Sequence, residues 1–451
     1  MAAMRRSSNA ILALLLAAGA VLAPSPATPT ADATSLTTFA GIVPGSVNRT
    51  SVNLEASYDA RLRLNWATRG TWVDSVATIR NTSGHPIDRI EFNTVAARLG
   101  SMSFRGAFVD GVAVKATVSD QTIVVPLGGI LPAGASTTVD IRYSARLRTS
   151  LTGSSWMFTK ANGIANLYRW LPWVSRARKF DRPNIGDPFV TPTSPYVRVR
   201  IVPTVALRFA TSGERVSTNG LEQVFEARNV RDFTVTAATD FVTSTTTVGS
   251  VKVIGVARSA AVAAKLRYEG GLAFSRLRSL LGPYPYASFR VVQSAGGTAM
   301  ESPSLVWIPY GLASSRYRYL VTHETAHQWF YGLVGNDQAA HPFTDEAAAD
   351  FAARYALSSR RSSTCATDEL DHSIYHYSNA CYYEVIYIQG GNVLDSVRRQ
   401  MGSTRFWAAI REYLLDNRYR LVTPATLLKA LDDATSLDLS RTLRSRFPSI
   451  Y

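Results

Sequence analysis

The sequence predicts a multi-domain chain in which an all-β domain is followed by an α+β domain, mostly helical in its second half. Its 451 residues exceed the size at which a single hydrophobic core stops growing. From 48 to 247 apolar residues recur with period two, the mark of half-buried strands, and from 248 to 451 the pattern becomes largely helical. With 46% apolar and 18% charged residues the chain can bury real cores, which excludes a disordered tail or a coiled coil.

Residues 1–33 read as a signal peptide. Arg5 and Arg6 form a positive start, Ile11 to Ala23 is an apolar stretch too short to span a bilayer, and small residues follow. Cleavage after Ala23 or after Ala33 fits the small-x-small pattern equally well, and no lipidation cysteine is present. Export to the extracellular space or the cell envelope is the expectation. Residues 24 to about 45 are rich in Pro, Thr, Ala and Ser with little to bury, and 34–47 reads as a flexible tether. No later segment has about 18 consecutive apolar residues, so no transmembrane segment is expected.

In the β-domain, Leu62, Leu64 and Trp66 alternate with Arg61, Arg63 and Asn65, and Val139, Ile141 and Tyr143 alternate with Asp140, Arg142 and Ser144. Turn signals such as Asn81-Thr82-Ser83-Gly84 and Pro132-Ala133-Gly134 separate the runs. A threonine-rich stretch, Thr243 to Ser250, reads as the joint between domains. Beyond it, 258–281 reads as a helix, Phe289–Val292 and Leu305–Ile308 as short strands, and Thr423-Pro424 as a helix start with proline in the first turn.

The net charge of +15 raises the question of nucleic acid, since basic surfaces attract phosphates. Its pattern argues otherwise. Arginines are scattered among apolar residues, as in Val197-Arg198-Val199-Arg200-Ile201, and no run of five basic residues occurs. A solvated arginine-rich surface accounts for the charge, which at most favours acidic envelopes or anionic substrates. The two cysteines, Cys365 and Cys381, lie in one short stretch, and in an oxidising compartment this predicts a single local disulfide.

The chemistry concentrates at His323-Glu324-Thr325-Ala326-His327, an HExxH pattern. On a helix, positions i and i+4 share a face, so both imidazoles can reach one Zn²⁺. Glu324 lies beside them and can take a proton from an attacking water without being a ligand itself. The flanking segments Tyr319-Leu320-Val321 and Trp329 to Val334 are apolar, a setting in which two histidines and a glutamate are costly unless engaged. Eighteen residues separate His327 from Glu346, which opens a good helical segment able to fold back beside the first. Two His and one Glu leave an open position, as catalytic zinc sites do.

HExxH followed by eighteen residues and Glu resembles the pattern of the gluzincin aminopeptidases, which include aminopeptidase N and leukotriene hydrolase. The stretch THETAHQWFYGLVGNDQ is especially similar to secreted bacterial members, and the resemblance covers most of the chain. It implies a sandwich-like, saddle-shaped β-domain, a thermolysin-like zinc peptidase domain, one zinc per chain and peptide substrates with a free N-terminus. Gly297-Thr298-Ala299-Met300-Glu301-Ser302 looks like the family's GxMEN exopeptidase motif, which makes Glu301 the candidate for the substrate's α-amino group, with Met300 and Ala299 beside it. Thr298 and Ser302 depart from that motif's first Gly and final Asn.

Ile386-Tyr387-Ile388-Gln389-Gly390-Gly391 resembles the YxKGA segment, which makes Tyr387, rather than Tyr382 or Tyr383, the candidate donor to the developing oxyanion. Gln389 stands where the family usually has lysine. A β-domain glutamine that often helps hold the substrate's amino terminus has no located counterpart. The chain ends at Tyr451, which implies a cavity more open than in members with a long C-terminal helical domain.

Asp345 and Asp350 flank the ligand helix and are candidates to orient a ligating imidazole, with no placement given by the sequence, while His85, His341, His372 and His376 read as loop or surface histidines. The expected activity is aminopeptidase hydrolysis by zinc-activated water. The alternatives are a zinc endopeptidase of broader specificity and a noncatalytic, metal-stabilised envelope binding module.

Overall fold

The computed structural model describes residues 41–178, 180 and 189–451. The expected signal peptide and residues 34–40 of the expected tether lie outside the described residues. The end of the tether segment is held against the β-domain: Val43 forms a bridge with Ile130, and the backbone N–H groups of Val47, Asn48 and Arg49 donate to Asp88.

The first half is built of sheets. An eight-stranded sheet runs in the order Glu214–Asn219, Glu222–Ala227, Val197–Pro203, Glu55–Leu64, Gly70–Arg80, Ser136–Arg146, Ser103–Val109, Val112–Val114. Strand Glu55–Leu64 pairs parallel with Val197–Pro203 and antiparallel with Gly70–Arg80. Two four-stranded sheets, one centred on Ile164–Leu167 and Val235–Ala238 and one on Ile87–Asn93 and Thr122–Leu131, complete it. The period-two pattern has its expected effect, since Val139, Ile141 and Tyr143 are buried while Asp140, Arg142 and Ser144 face outward. At the turn of Asn81, its side-chain amide donates to the carbonyls of His85 (2.7 Å) and Leu131 (3.0 Å), tying two loops together.

A five-stranded mixed sheet begins the second half, in the order Val242–Val248, Val251–Ala257, Ser288–Ser294, Leu305–Pro309, Met300–Ser302. The threonine-rich stretch expected to be a joint is therefore the first strand of this sheet, paired antiparallel with Val251–Ala257. Threonine's branched β-carbon suits an extended edge, and its hydroxyl tolerates the half-exposed face found there. The strand Leu305–Pro309 is apolar throughout because both faces are covered. Leu305 and Trp307 join the core of the β-domain, whereas Val306 and Ile308 join the core of the helices.

The helix Ala260–Leu281 packs on this sheet at Gly255, where a Cβ would stand 2.0 Å from the carbonyl oxygen of Ala263. Ser259 caps it by accepting from the Val262 N–H. Thr423 and Thr426 form a reciprocal capping box at the helix Pro424–Asp433, as its sequence predicts. The remaining long helices are Tyr317–Ala326, Glu346–Ala356, Gly390–Met401 and Ser403–Asp416. No described helix is long and apolar enough to cross a membrane.

Cys365 and Cys381 are disulfide-bonded, with Cα atoms 5.8 Å apart, and close a loop between two helical segments. A closed loop of this size restricts the unfolded chain by about 3 kcal/mol in the chain-entropy account. Replacing both cysteines by serine should lower unfolding stability by about 2–4 kcal/mol in denaturant titration.

Candidate metal centre and active site

The helix Tyr317–Ala326 turns Tyr317, Val321 and Ala326 into the core and leaves His323 and Glu324 on its buried outer face. His327 closes the helix with φ −63° and ψ −10°, still helical enough to keep it one turn below His323. The two Nε2 atoms are 3.2 Å apart. Oε2 of Glu346, the first residue of the helix Glu346–Ala356, lies 3.3 Å from His323 Nε2 and 3.4 Å from His327 Nε2.

These three separations test the fit to a metal. With bonds of 2.0–2.1 Å, the edges of a zinc tetrahedron are about 3.3–3.4 Å. The donor set therefore has the size of one tetrahedral face, and its nitrogen and oxygen atoms are ones zinc prefers. Glu346 Oε2 is buried and has no hydrogen-bond partner, as a metal-directed oxygen would be.

His327 Nδ1 stands 2.7 Å from Asp345 Oδ1 and 3.0 Å from the carbonyl oxygen of Phe330. Both are acceptors, so Nδ1 carries the proton and Nε2 keeps its lone pair for a metal. Phe330 reaches this position through a tight reversal in which Tyr331 adopts φ 119°, a backbone region costly for any residue but glycine. The Tyr331 hydroxyl anchors the reversal by donating to Asp232 and accepting from Arg169. His323 Nδ1 faces Asp350 at 3.9 Å, too far for a hydrogen bond.

One cavity of about 550 Å³ collects the predicted residues. Ala299, Met300, Glu301, His323, Glu324, His327, Glu346 and Tyr387 all line it. Glu301 sits on the edge strand Met300–Ser302, paired with Val306, so the sheet sets its height above the helix. A carboxylate oxygen of Glu301, one of Glu324 and a ring nitrogen of His327 lie within 4.8 Å of one another. Burial pushes the Glu324 carboxyl up to about 7, against the opposing pull of the two imidazoles. Burial also works to raise Glu346, but His327 and His323 outweigh it and hold the group below the usual carboxylate range.

Tyr387 lies in a π-helical turn, Tyr383–Gln389, and stacks on His323 with ring centroids 5.6 Å apart. Burial, then the neighbouring Glu346 carboxylate, hold its phenol well above the ordinary value, so it stays a donor.

Two of the three departures from the sequence motifs, Ser302 and Gln389, have structural counterparts. Ser302 donates to buried Asp232 and lies 2.9 Å from Ser212 Oγ, fastening the edge strand to the β-domain. The Gln389 amide donates to Ser363 Oγ and to the carbonyls of Cys365 and Ala366, and its oxygen accepts from Arg446. It thus holds the disulfide-bearing segment, a task a lysine without an acceptor could fill only in part.

Several residues that shape the site carry no signal in the sequence. Gln338 donates to Glu301 (3.1 Å) and to Asp345 (2.9 Å), linking the two carboxylates that flank the motif helix. Among the described residues, the β-domain lines the cavity with Trp156 and no glutamine. Trp156 packs against Gly297, where a Cβ would come within 2.2 Å of its ring, which explains the glycine at φ 95°. Nothing in the alternating pattern around Trp156 separates it from a core residue. His85, His372 and His376 lie away from the cavity, and His341 occupies the turn before Pro342–Thr344. Asp345→Ala should weaken zinc retention about 10- to 100-fold in competition with a chelator, because it removes the charged acceptor of His327.

Residues 283–445 match the Peptidase family M1 domain. No curated protein matches the chain. Among solved structures, the M1 zinc metallopeptidase of Deinococcus radiodurans is similar with a TM-score of 0.66 and 18% identity, covering 90% of this chain and 95% of that one. A variant of that peptidase bound to a Tyr-Ser-Ala substrate is similar with a TM-score of 0.67 and 19% identity, covering 87% and 93%. A two-domain M1 zinc metallopeptidase bound to L-arginine gives 0.66 and 18%, covering 90% and 95%. These likenesses extend the two-part fold over nearly the whole chain, while the domain match falls on the half that carries HExxH and Glu346. Residues 283–445 thus carry an M1 peptidase domain, the domain of gluzincin zinc-dependent peptide hydrolases of the aminopeptidase N kind, with His323, His327 and Glu346 grouped as its metal site.

Proposed function

We propose that the chain is an exported aminopeptidase that removes the N-terminal residue of peptides. Residues 1–33 serve as signal peptide and the chain after them as tether, while the boundary expected at 247/248 moves to the start of strand Val242–Val248, so that the β-domain precedes this strand and the thermolysin-like catalytic domain begins with it. His323, His327 and Glu346 hold the zinc. When bound, the ion supplies a Lewis acid and lowers the pKa of water towards about 7.

The residues of the chain do the rest. Glu324 takes the proton of the attacking water and returns it to the leaving amine. The Tyr387 phenol donates to the carbonyl oxygen as charge develops on it. Glu301 accepts the substrate's ammonium group, and Met300 and Ala299 form the wall beside it. The observation that carries the exopeptidase reading is the buried Glu301 carboxylate within 4.8 Å of Glu324 and His327. An ammonium held there has its first peptide bond next to the base, so the substrate's end is measured from Glu301. The tripeptide bound by the Deinococcus radiodurans relative is a ligand of the size this arrangement suits.

Glu324→Gln should keep stoichiometric zinc by metal analysis while kcat falls by about 10²–10⁴; full retained activity would remove Glu324 from its role. Glu301→Ala should reduce kcat/KM on aminoacyl arylamides about 10- to 100-fold, the loss expected for one charge-assisted contact. Nα-acetylated peptides should resist the wild-type enzyme. Comparable cleavage of acetylated and free peptides would replace the aminopeptidase by an endopeptidase.

A further inference from the structure

We propose that Arg361 recognises the C-terminal carboxylate of the substrate, so that the preferred substrates are short peptides, di- and tripeptides, with both ends free. The inference rests on the aminopeptidase reading above and adds the other end of the substrate.

The cavity has opposite charges at its two ends. Glu301 lies on the His327 side, next to Glu324. Arg361 lies on the His323 side, reached through two tyrosines. Its guanidinium carbon is 4.4 Å above the Tyr319 ring, and the Tyr319 ring is 6.0 Å from that of His323. Its Nη1 donates to the Tyr383 hydroxyl, and the Tyr383 ring is 4.6 Å from that of Tyr387. The ligand cluster stands between a carboxylate and a guanidinium within one cavity of about 550 Å³, a size typical of small-ligand sites.

Arg361 is built for a directional contact rather than left to wander. Stacking on Tyr319 holds the guanidinium plane, and Tyr383 takes one N–H, which leaves further donors of the fork toward the cavity. Among the described residues it forms no salt bridge within 4 Å, and Asp350, the buried carboxylate that feels its charge, is already held by Arg354 and the Tyr319 hydroxyl. The backbone behind it is clamped. Glu384 accepts from the N–H groups of Thr364 (2.5 Å) and Cys365 (2.8 Å), the disulfide ties Cys365 to Cys381, and Asn392 donates to the Arg361 carbonyl (3.3 Å). Arg316, exposed at the same rim, adds positive charge and extends the attraction for an anionic end.

The lengths agree with a short substrate. Past the cleaved bond, the terminal carboxylate of a di- or tripeptide lies roughly 4–8 Å away, at 3.8 Å per Cα step. The Tyr319 ring stands 6.0 Å from that of His323 and 4.4 Å from the guanidinium carbon, which places Arg361 within about 10 Å of the His323 ring, in reach of such a carboxylate and its hydrogen bond. A longer peptide would carry its carboxylate beyond the guanidinium, and an amidated one would offer no charge to pair.

The test compares Ala-Ala-Ala with its C-terminal amide on the zinc-loaded full chain, alongside an alanine arylamide that has no carboxylate. The wild-type enzyme should favour the acid over the amide by about tenfold or more in kcat/KM, carried by KM, as one charge-assisted pair implies. Arg361→Ala should bring the ratio to about one, and Arg361→Lys should retain part of it as a point charge. A wild-type ratio near one, or a ratio unmoved in Arg361→Ala, overturns the inference while arylamide hydrolysis leaves the aminopeptidase reading standing. A wild-type chain inert towards the arylamide overturns both.

Discussion

Two imidazoles and a carboxylate meet within 3.4 Å of one another because the helices Tyr317–Ala326 and Glu346–Ala356 lie against each other with their ligand positions facing. Such a meeting of polar atoms in a buried place is unfavourable on its own, since each must give up water. A divalent ion reverses the sign, and the rest of the second half is arranged around making that reversal possible. The apolar flanks of each helix hold it from behind, with Val321, Ala326, Ala347 and Phe351 in one continuous core.

The orientation of the ligands is then settled by a second ring of polar contacts that reaches into the β-domain. Asp345 fixes the proton of His327, Gln338 joins Asp345 to Glu301, and Arg169 of the first half bonds both Gln338 and Tyr331. Arg231 is fully enclosed, and burial pushes it down to about 10, which still leaves it charged at neutral pH. Its guanidinium donates to the carbonyls of Thr191 and Arg420, so a residue of the β-domain ties together loops from both halves. Buried polar groups of this kind tolerate little displacement, because each lost contact leaves an unpaired neighbour. The first half is therefore more than a spacer. It supports the edge strand of Glu301 through Asp232 and Ser302 and supplies Trp156 to the cavity wall.

Much of this was legible from residue order wherever the physics is local. Period-two alternation gave the strands around Val139 and Leu62, and helical spacing put His323 and His327 on one face before any packing was known. Motif similarity pointed to Glu346, Glu301 and Tyr387, and the fold gathers them in one cavity. Local signals also misled. Thr243 to Ser250 looks like a joint because threonine is polar, yet its branched carbon serves an edge strand. Gln338, Trp156 and Arg361 carry no signal of their own, since a glutamine in a loop, a tryptophan in a core and an arginine among many look ordinary until their neighbours are known.

The sequence by itself determined which chemistry is available: two histidines one helical turn apart, a glutamate between them, a further glutamate eighteen residues on, and a single pair of cysteines. Only the tertiary structure decided the distances that give those residues meaning, from the 3.2–3.4 Å ligand triangle to the clamp behind Arg361. The reason is physical. Backbone periodicity acts over a few residues and can be read along the chain, whereas the contacts that orient a ligand or face a substrate's ends join residues up to about a hundred or more positions apart, and packing alone selects them.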